Sequence, residues 1–229
     1  MKSIIAYSGG IDSTVVAYDT VDSEGPEAVE LAHIDIGSKT STLAIEAMKY
    51  HADILGVPWT VIPIALPSVV TAGCRVFSSK GEVGKRAVNS LDDKSLLKKE
   101  LTLWNDYAPG LYTIIWVLLG ALAVRRGCQR VLTGFHRQRP EGKQTLEGLS
   151  EDIMDTCADF TDYLNGQRIA IWGAKAPMFY APLRDIDKRD VVALGKNLEI
   201  NFDMTHSCDI YPSCGVCYEC RLREEALDG

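Results

Sequence analysis

The chain has 229 residues, of which 46% are hydrophobic and 8% aromatic, and its formal net charge is −7. This size and composition predict one globular domain with a substantial core. The acidic balance argues against broad attraction to nucleic acid, so small molecules are the expected partners. The apolar stretches at the N-terminus and at 111–124 are too short for a signal peptide or a bilayer span, and no membrane association is expected.

Apolar, β-branched segments alternate with longer helical patterns over the first part of the chain. The predicted elements are strands at 3–7, 29–36 and 59–64 and helices at 13–21 and 42–55. This βαβαβ order predicts a doubly wound, mostly parallel sheet of the Rossmann type. From 67 to 109 the pattern breaks into a polar stretch dotted with glycine and serine, which we expect to be a functional insertion or a lid.

The core pattern resumes after this stretch. The predicted elements are helices at 111–126, 149–164 and 188–197 and strands at 130–133 and 168–171. We expect residues 1–204 to form the α/β domain, with its insertion at 67–109, and residues 205–229 to form a cysteine-bearing tail.

The string SGGIDS at 8–13 directly follows the first predicted strand. Glycines let the backbone approach an anion closely, and the next helix adds its positive N-terminal end. A tight turn would explain Gly-Gly alone, but the whole string in a doubly wound chain predicts a nucleotide site. The sequence here lacks the Gly-Lys-Ser/Thr of a Walker loop and the Gly-x-Gly-x-x-Gly of a dinucleotide fold. The residues expected at the nucleotide are Tyr7, Ser8, Gly9, Gly10, Ile11, Asp12, Ser13 and Thr14.

Three residues are the catalytic candidates: Asp12, Ser13 and Lys188. The hydroxyl of Ser13, with those of Ser8 and Thr14, offers a donor to phosphate, while Asp12 either caps the helix or orients Mg²⁺. Lys188 would reach a phosphate from the start of its predicted helix, and a solvated lysine is the alternative.

Strand ends supply further candidates. Asp35, Gly37 and Gly134 lie where the second and fourth strands should end, at the edge where open α/β folds collect their ligands. Each of them is either a contact to adenosine or a strand-end turn.

Four of the seven cysteines lie within thirteen residues near the C-terminus, namely Cys208, Cys214, Cys217 and Cys220. Tetrahedral zinc takes four such thiolates, and a filled shell leaves no position for an activated water, so the predicted zinc is structural. An iron–sulfur cluster is the chemical alternative. The odd cysteine total and the scattered remainder favour a reducing, cytoplasmic setting. His206, beside the first thiol, is either a packed histidine or part of the substrate pocket.

The SGGIDS string resembles the PP-loop of the ATP pyrophosphatase superfamily, whose members adenylate an oxygen and release pyrophosphate. The tail, THSC at 205–208 followed by PSCGVCYECRLR at 212–223, resembles that of the 7-cyano-7-deazaguanine synthase family, QueC. Asp-Ile-Gly at 35–37 and Pro-Gly at 109–110 are similar to collinear family positions. The resemblance implies ATP-dependent conversion of 7-carboxy-7-deazaguanine and ammonia to the nitrile, on a homodimer with one zinc per subunit.

The chain departs from the family pattern at 38–40, at 111–112 and at 134–140. These departures suggest a divergent, phage-type member, and leave open an enzyme that adenylates another carboxylate or stops at the amide. His136, Arg137 and Arg139 either recognise a carboxylate or purine edge or form a solvated basic loop. Two further hypotheses are a PP-loop enzyme that modifies tRNA and a zinc-bearing nucleotide-binding module without catalysis.

Overall fold

The computed structural model describes residues 1–38, 40–65, 111–135, 149–208, 213, 215 and 218–228, with the backbone alone at 111–112, 149–160 and 218–219. The predicted insertion at 67–109 and the basic loop with His136, Arg137 and Arg139 lie outside these residues. The elements are β1 (Ser3–Ala6), α1 (Ile11–Glu24), β2 (Val29–Asp35), α2 (Ser41–Leu55), β3 (Trp59–Pro63), α3 (Leu111–Arg126), β4 (Arg130–Leu132), α4 (Leu149–Trp172), β5 (Met178–Tyr180), α5 (Lys188–Asn197) and α6 (Tyr218–Asp228). Short 3-10 turns occupy Pro26–Ala28 and Phe202–Met204.

The five described strands form one parallel sheet in the order β3-β2-β1-β4-β5. Ile5 in β1 lies opposite Leu31 of β2 on one side and Leu132 of β4 on the other. The chain therefore winds outward from β1 to β3 and then returns to β4 across the sheet. The predicted doubly wound parallel sheet is confirmed, and the carboxyl end of β1 lies at the point where the winding reverses.

Alternation along the strands divides the core between the two faces of the sheet. Ile5, Leu31 and Leu132 belong to a buried cluster with side chains from α1, α2, α5 and α6. Ile4, Val131 and Phe179 belong to a second cluster with α3 and α4. Since Ala226 of α6 is buried in the first cluster, the helix of the predicted tail shares the core of the α/β layer.

The predicted strand at 168–171 is wrong, because α4 continues without a break to Trp172. Its apparent alternation leaves Ile169 and Ile171 exposed on the helix, and the turn that follows is made by Gly173, whose φ of +80° suits glycine. The strand that occupies the edge of the sheet is Met178–Tyr180, with Phe179 buried.

The apolar helix α3 lies against the sheet. Trp116, Leu119 and Ala123 are buried in the second cluster, and the indole N–H of Trp172 donates to the Val117 carbonyl at 3.2 Å. Among the described helices, none combines the length and the hydropathy needed to cross a membrane.

Candidate active site

The SGGIDS string connects β1 to α1 at the carboxyl end of the central strand, as predicted. Gly9 has φ +82°, and a Cβ there would lie 2.7 Å from the Cα of Ala44 in α2. Gly10 is the N-cap of α1, in extended conformation and without a side-chain cap. The first amides of a helix have no intrahelical acceptor, so this corner offers donors and a positive dipole end to an anion.

Hydroxyl groups brace the loop from its buried side. Tyr7 Oη lies 2.8 Å from Thr14 Oγ1, which in turn donates to the Gly10 carbonyl at 2.9 Å. Ser13 Oγ donates to the same carbonyl at 3.1 Å and accepts from the backbone N–H of Ser8 at 3.2 Å. These bonds fix the Gly10 carbonyl and the Ser8 N–H before any ligand arrives.

Burial therefore divides the predicted nucleotide contacts into two groups. The side chains of Tyr7, Ile11, Ser13 and Thr14 are buried, and burial raises the pKa of Tyr7 far above its ordinary value, so its phenol stays neutral. In this structure these side chains take part in packing and internal hydrogen bonds, and contacts of these residues to the nucleotide stay a prediction. Ser8 is exposed beside them, and its hydroxyl lies 3.1 Å from Ser13 Oγ.

The structure brings Asp12 and Lys188 together across 176 residues of sequence. Lys188 Nζ donates to both carboxylate oxygens of Asp12, at 2.6 and 2.7 Å. Lys188 is only 6% exposed, so the alternative of a solvated lysine is wrong. Asp12 does not cap α1; it pairs with this lysine, while α5 is capped by Asp187, whose Oδ1 accepts from the Asp190 amide at 3.0 Å.

Gly134 follows β4 and touches the start of α1. A Cβ at this position would lie 2.7 Å from the Ser13 nitrogen and 2.8 Å from the Asp12 carbonyl carbon. The end of β4 thus packs directly on the corner that carries the predicted catalytic residues. Sequence reasoning placed Gly134 at the correct edge but gave no sign of this contact.

Asp35 and Gly37 lie at the end of the neighbouring strand β2. Asp35 Oδ1 accepts the Gly37 amide at 2.8 Å, and Gly37 has φ +72°. His33 Nδ1 pairs with the Tyr7 carbonyl at 2.9 Å, which ties β2 to the residue before the loop. The local geometry at Asp35 is that of a strand-end turn, and a contact to adenosine remains a prediction.

The C-terminal region contacts the loop through its backbone. The His206 amide donates to the Gly9 carbonyl at 2.7 Å, and a Cβ on Gly10 would lie 3.5 Å from the His206 carbonyl oxygen. The Nε2 atom of His206 is buried and has no hydrogen-bond partner among the residues that the structure describes. This histidine is packed against the corner formed by Gly9 and Gly10.

Sequence reasoning missed Arg223 of α6. Its Nη1 donates to Thr205 Oγ1 at 2.7 Å, and its Nη2 donates to the Phe202 carbonyl at 2.5 Å. Burial lowers the pKa of Arg223, and the charges of Asp203 and Cys220 oppose that shift. No sequence signal identifies this contact, because its acceptors are a backbone carbonyl and hydroxyls 16 to 21 residues away.

The described part of the tail includes two of the four predicted metal ligands. Cys208 is buried directly after the segment that contacts the loop, and Cys220 lies in the first turn of α6. Cys214 and Cys217 lie outside the described residues. Within the described ranges there is no group of three or more metal-ligating side chains, so the four-cysteine site stays a prediction.

Residues 2–229 match the family described as queuosine biosynthesis protein QueC. The chain belongs to the QueC family. It is 25% identical to a 7-cyano-7-deazaguanine synthase of Methanothrix thermoacetophila, over 99% of this chain and 93% of the relative. A 7-cyano-7-deazaguanine synthase of Koribacter versatilis is 26% identical, over 100% of this chain and 89% of the relative. The resemblance drawn from the loop and the tail is thereby confirmed.

Among solved structures, the chain is similar to the U34-tRNA thiolase NcsA from Methanococcus maripaludis with its [4Fe-4S] cluster, with a TM-score of 0.52 and 15% identity. The match covers 100% of this chain but 64% of the thiolase, less than two thirds of its length. At this identity the likeness concerns the α/β fold alone.

Proposed function

We propose that this member of the QueC family is an ATP-dependent ligase that converts 7-carboxy-7-deazaguanine and ammonia to 7-cyano-7-deazaguanine. Family membership over residues 2–229 and the names of its relatives support the reaction. The observation that carries the proposal is the corner of β1 and α1, where backbone donors, a helix N-terminus and the Lys188–Asp12 pair converge at the switch point of the sheet.

The chemistry follows from the substrate. A carboxylate is a poor electrophile, so one of its oxygens attacks the α-phosphorus of ATP and pyrophosphate leaves. Ammonia then adds to the acyl carbon, and AMP and a proton leave to give the amide. A second ATP activates the amide oxygen in the same way, and loss of AMP and of the remaining amide protons forms the nitrile.

The protein's part in this scheme is positioning and charge neutralisation. The amides at the start of α1 and the Lys188 ammonium face the charge that develops on the phosphates. Asp12 is the carboxylate that would hold a magnesium ion arriving with ATP, whose charge would offset that of the triphosphate. Its side chain is 24% exposed, which fits a ligand role.

Mass spectrometry of the protein incubated with ATP, ammonium and 7-carboxy-7-deazaguanine tests the proposal. We expect the nitrile to form with two AMP released per product, and no AMP without the acid. One AMP per product, together with the mass of the amide, would indicate the shorter reaction that the departures at 111–112 and 134–140 leave open. Absence of AMP formation that depends on this acid would contradict the substrate assignment.

We also propose that Cys208, Cys214, Cys217 and Cys220 hold one structural zinc ion. The buried Cys208 supports this, since it lies between the loop contact and the cysteine-rich segment. We expect metal analysis to find one zinc per chain, with loss of zinc and a lower melting temperature in Cys217→Ser. Cys128→Ser, which alters a buried thiol outside the tail, is the control and should keep its metal.

Two outcomes would contradict the zinc assignment. Full zinc occupancy in Cys217→Ser would remove this residue from the ligand set. Iron in the metal analysis, together with visible absorption from a cluster, would indicate an iron–sulfur centre in place of zinc.

We also propose that the protein forms the homodimer that the family resemblance implies. Light scattering of the purified protein tests this proposal.

A further inference from the structure

We propose that Arg223 is a positioning residue for the PP-loop, residues 8–13, and that it acts through the segment 202–207. The inference rests on the proposed function in one respect, namely that this loop binds the phosphates of ATP. It assigns to the C-terminal helix a part in nucleotide binding, although Arg223 touches no residue of the loop in the contacts described above.

Arg223 holds the segment 202–207 at several points. One guanidinium nitrogen donates to Thr205 Oγ1 at 2.7 Å and lies 3.4 Å from Ser207 Oγ, while the other donates to the Phe202 carbonyl. Thr205 Oγ1 itself donates to the Phe202 carbonyl at 2.7 Å. The planar fork of arginine suits this arrangement, because its nitrogens reach separate acceptors at the same time. The segment is thus fixed on both sides of residue 206.

The bond from this segment to the loop also sets the direction of the Gly10 N–H. The His206 amide donates to the Gly9 carbonyl at 2.7 Å. In a planar trans peptide, the carbonyl of one residue and the N–H of the next point in opposite directions. When His206 fixes the Gly9 carbonyl, it also fixes the Gly10 N–H, which in this structure points to Ser8 Oγ at the long distance of 3.4 Å.

The position of Gly9 is restricted by its contact with α2. Its Cα lies so close to α2 that an added Cβ would meet the Ala44 backbone at 2.7 Å, and its φ is +82°. The peptide is therefore held between α2 on one side and His206 on the other. Loosening residues 202–207 removes the short bond to the Gly9 carbonyl. The Gly10 N–H then keeps only its long contact to Ser8 Oγ and loses its set direction.

A simpler role for Arg223 is to hold α6 in place. That role predicts a lower melting temperature with unchanged ATP affinity, because Ala226 and Leu227 also anchor α6 in the core. Positioning of the loop predicts instead that ATP affinity changes. Arg221, on the same helix but exposed, provides a matched control for charge and helix propensity.

The test is ATP affinity by titration calorimetry with Mg²⁺ and without the acid substrate, for Arg223→Met, Arg223→Lys and Arg221→Met. We expect about tenfold weaker binding in Arg223→Met, an intermediate loss in Arg223→Lys, whose single nitrogen reaches one acceptor, and no change in Arg221→Met. Hydrogen exchange at the His206 amide should be faster in Arg223→Met, since the bond to Gly9 opens more often.

Affinity in Arg223→Met within about twofold of the wild type would overturn the inference. Should this variant not fold, Thr205→Val keeps the arginine and removes one acceptor; it should weaken ATP binding about threefold, and an unchanged affinity would equally count against the inference. Wild-type protein that binds ATP but makes no nitrile would remove the proposed substrate and leave this inference standing. If the wild type binds no ATP, the proposed function and this inference both fail, because the inference requires ATP to bind at this loop.

Discussion

Lys188 is an ammonium ion almost entirely removed from water, in contact with both carboxylate oxygens of Asp12. A buried charge is costly unless it is paired, and removal of one partner leaves the other uncompensated. Under the proposed function, phosphate oxygens of ATP would become available to Lys188, and a magnesium ion would become available to Asp12. The pair thus holds both charged groups in place until ligands replace their contact with each other.

The pair can be tested by a double-mutant cycle. We expect Asp12→Asn and Lys188→Met each to abolish pyrophosphate release and to lower the free energy of unfolding by about 2 kcal/mol, less than for a fully buried pair because Asp12 keeps some solvent contact. The double variant should regain part of the stability but none of the activity. Pyrophosphate assays and urea denaturation measure the two effects. Release at the wild-type rate in Asp12→Asn would contradict the assigned role.

At the scale of the elements, the site depends on the close approach of the end of β4 to the start of α1. Gly134 has no space for a side chain, because an added Cβ would meet the Asp12 and Ser13 backbone below 3 Å. A larger residue there must separate the two elements. The amides of α1 and the carboxylate of Asp12 would then shift relative to β4.

We predict that Gly134→Ala weakens ATP binding at least about tenfold and lowers the melting temperature. Gly166→Ala is the matched control, because a Cβ at this position in α4 would meet no heavy atom within 4 Å apart from the backbone of its own helix. As a helical glycine-to-alanine change, it should leave ATP binding unchanged and raise stability by about 0.5–1 kcal/mol. Calorimetry and thermal melts compare the two. Equal ATP affinity in both variants would show that the tight contact at Gly134 has no effect on the site.

The sequence was sufficient to predict elements whose signals are local. Strands β1 to β4, the helices between them and the SGGIDS corner have periodic apolar patterns or glycine signatures of their own. By contrast, β5 has three residues between Pro177 and Pro182 and becomes a strand only by pairing with β4. The pattern at 168–171 resembled a strand because two isoleucines alternate with Arg168 and Ala170 in a helix whose outer face is exposed there.

Within the site, the residue types were predictable and their partners were not. The loop and Lys188 were identified from their chemistry, but their pairing depends on α5 packing against α1 across the fold. Thr14 and Ser13 were expected to offer hydroxyls to phosphate, yet their hydroxyls bond to the Gly10 carbonyl inside the loop. Such contacts join residues that only tertiary packing brings together.

At the scale of the whole molecule, buried histidines make stability depend on pH. His51 is 0% exposed, its Nδ1 pairs with the Tyr18 hydroxyl at 3.0 Å, and burial lowers its pKa from 6.5 to about 4. Burial also lowers the pKa of His33. The unfolded chain takes up these protons more readily than the folded one. The contribution of the neutral histidines to the free energy of unfolding is therefore complete above about pH 6.5 and is lost as the pH falls toward 4.

We predict that His51→Gln reduces this pH dependence. Between pH 7 and pH 4, protonation of His51 should account for a loss on the order of 3 kcal/mol in the free energy of unfolding of the wild type. The variant lacks this contribution, although loss of the Tyr18 contact lowers its stability at pH 7. Urea denaturation across the pH range gives the slopes, and His33 and any metal ligands affect both proteins alike. Equal slopes in the two proteins would exclude His51 as the source.

The bond between Gly9 and His206 joins residues that lie far apart in the sequence. During synthesis the glycine corner emerges well before His206, so a nascent chain cannot secure this peptide until residue 206 has left the ribosome. We expect a stalled or truncated product that ends before this histidine to retain the SGGIDS string and yet to bind ATP poorly. The orientation of the Gly10 N–H is thus set only after the strands and helices between these two residues have been made.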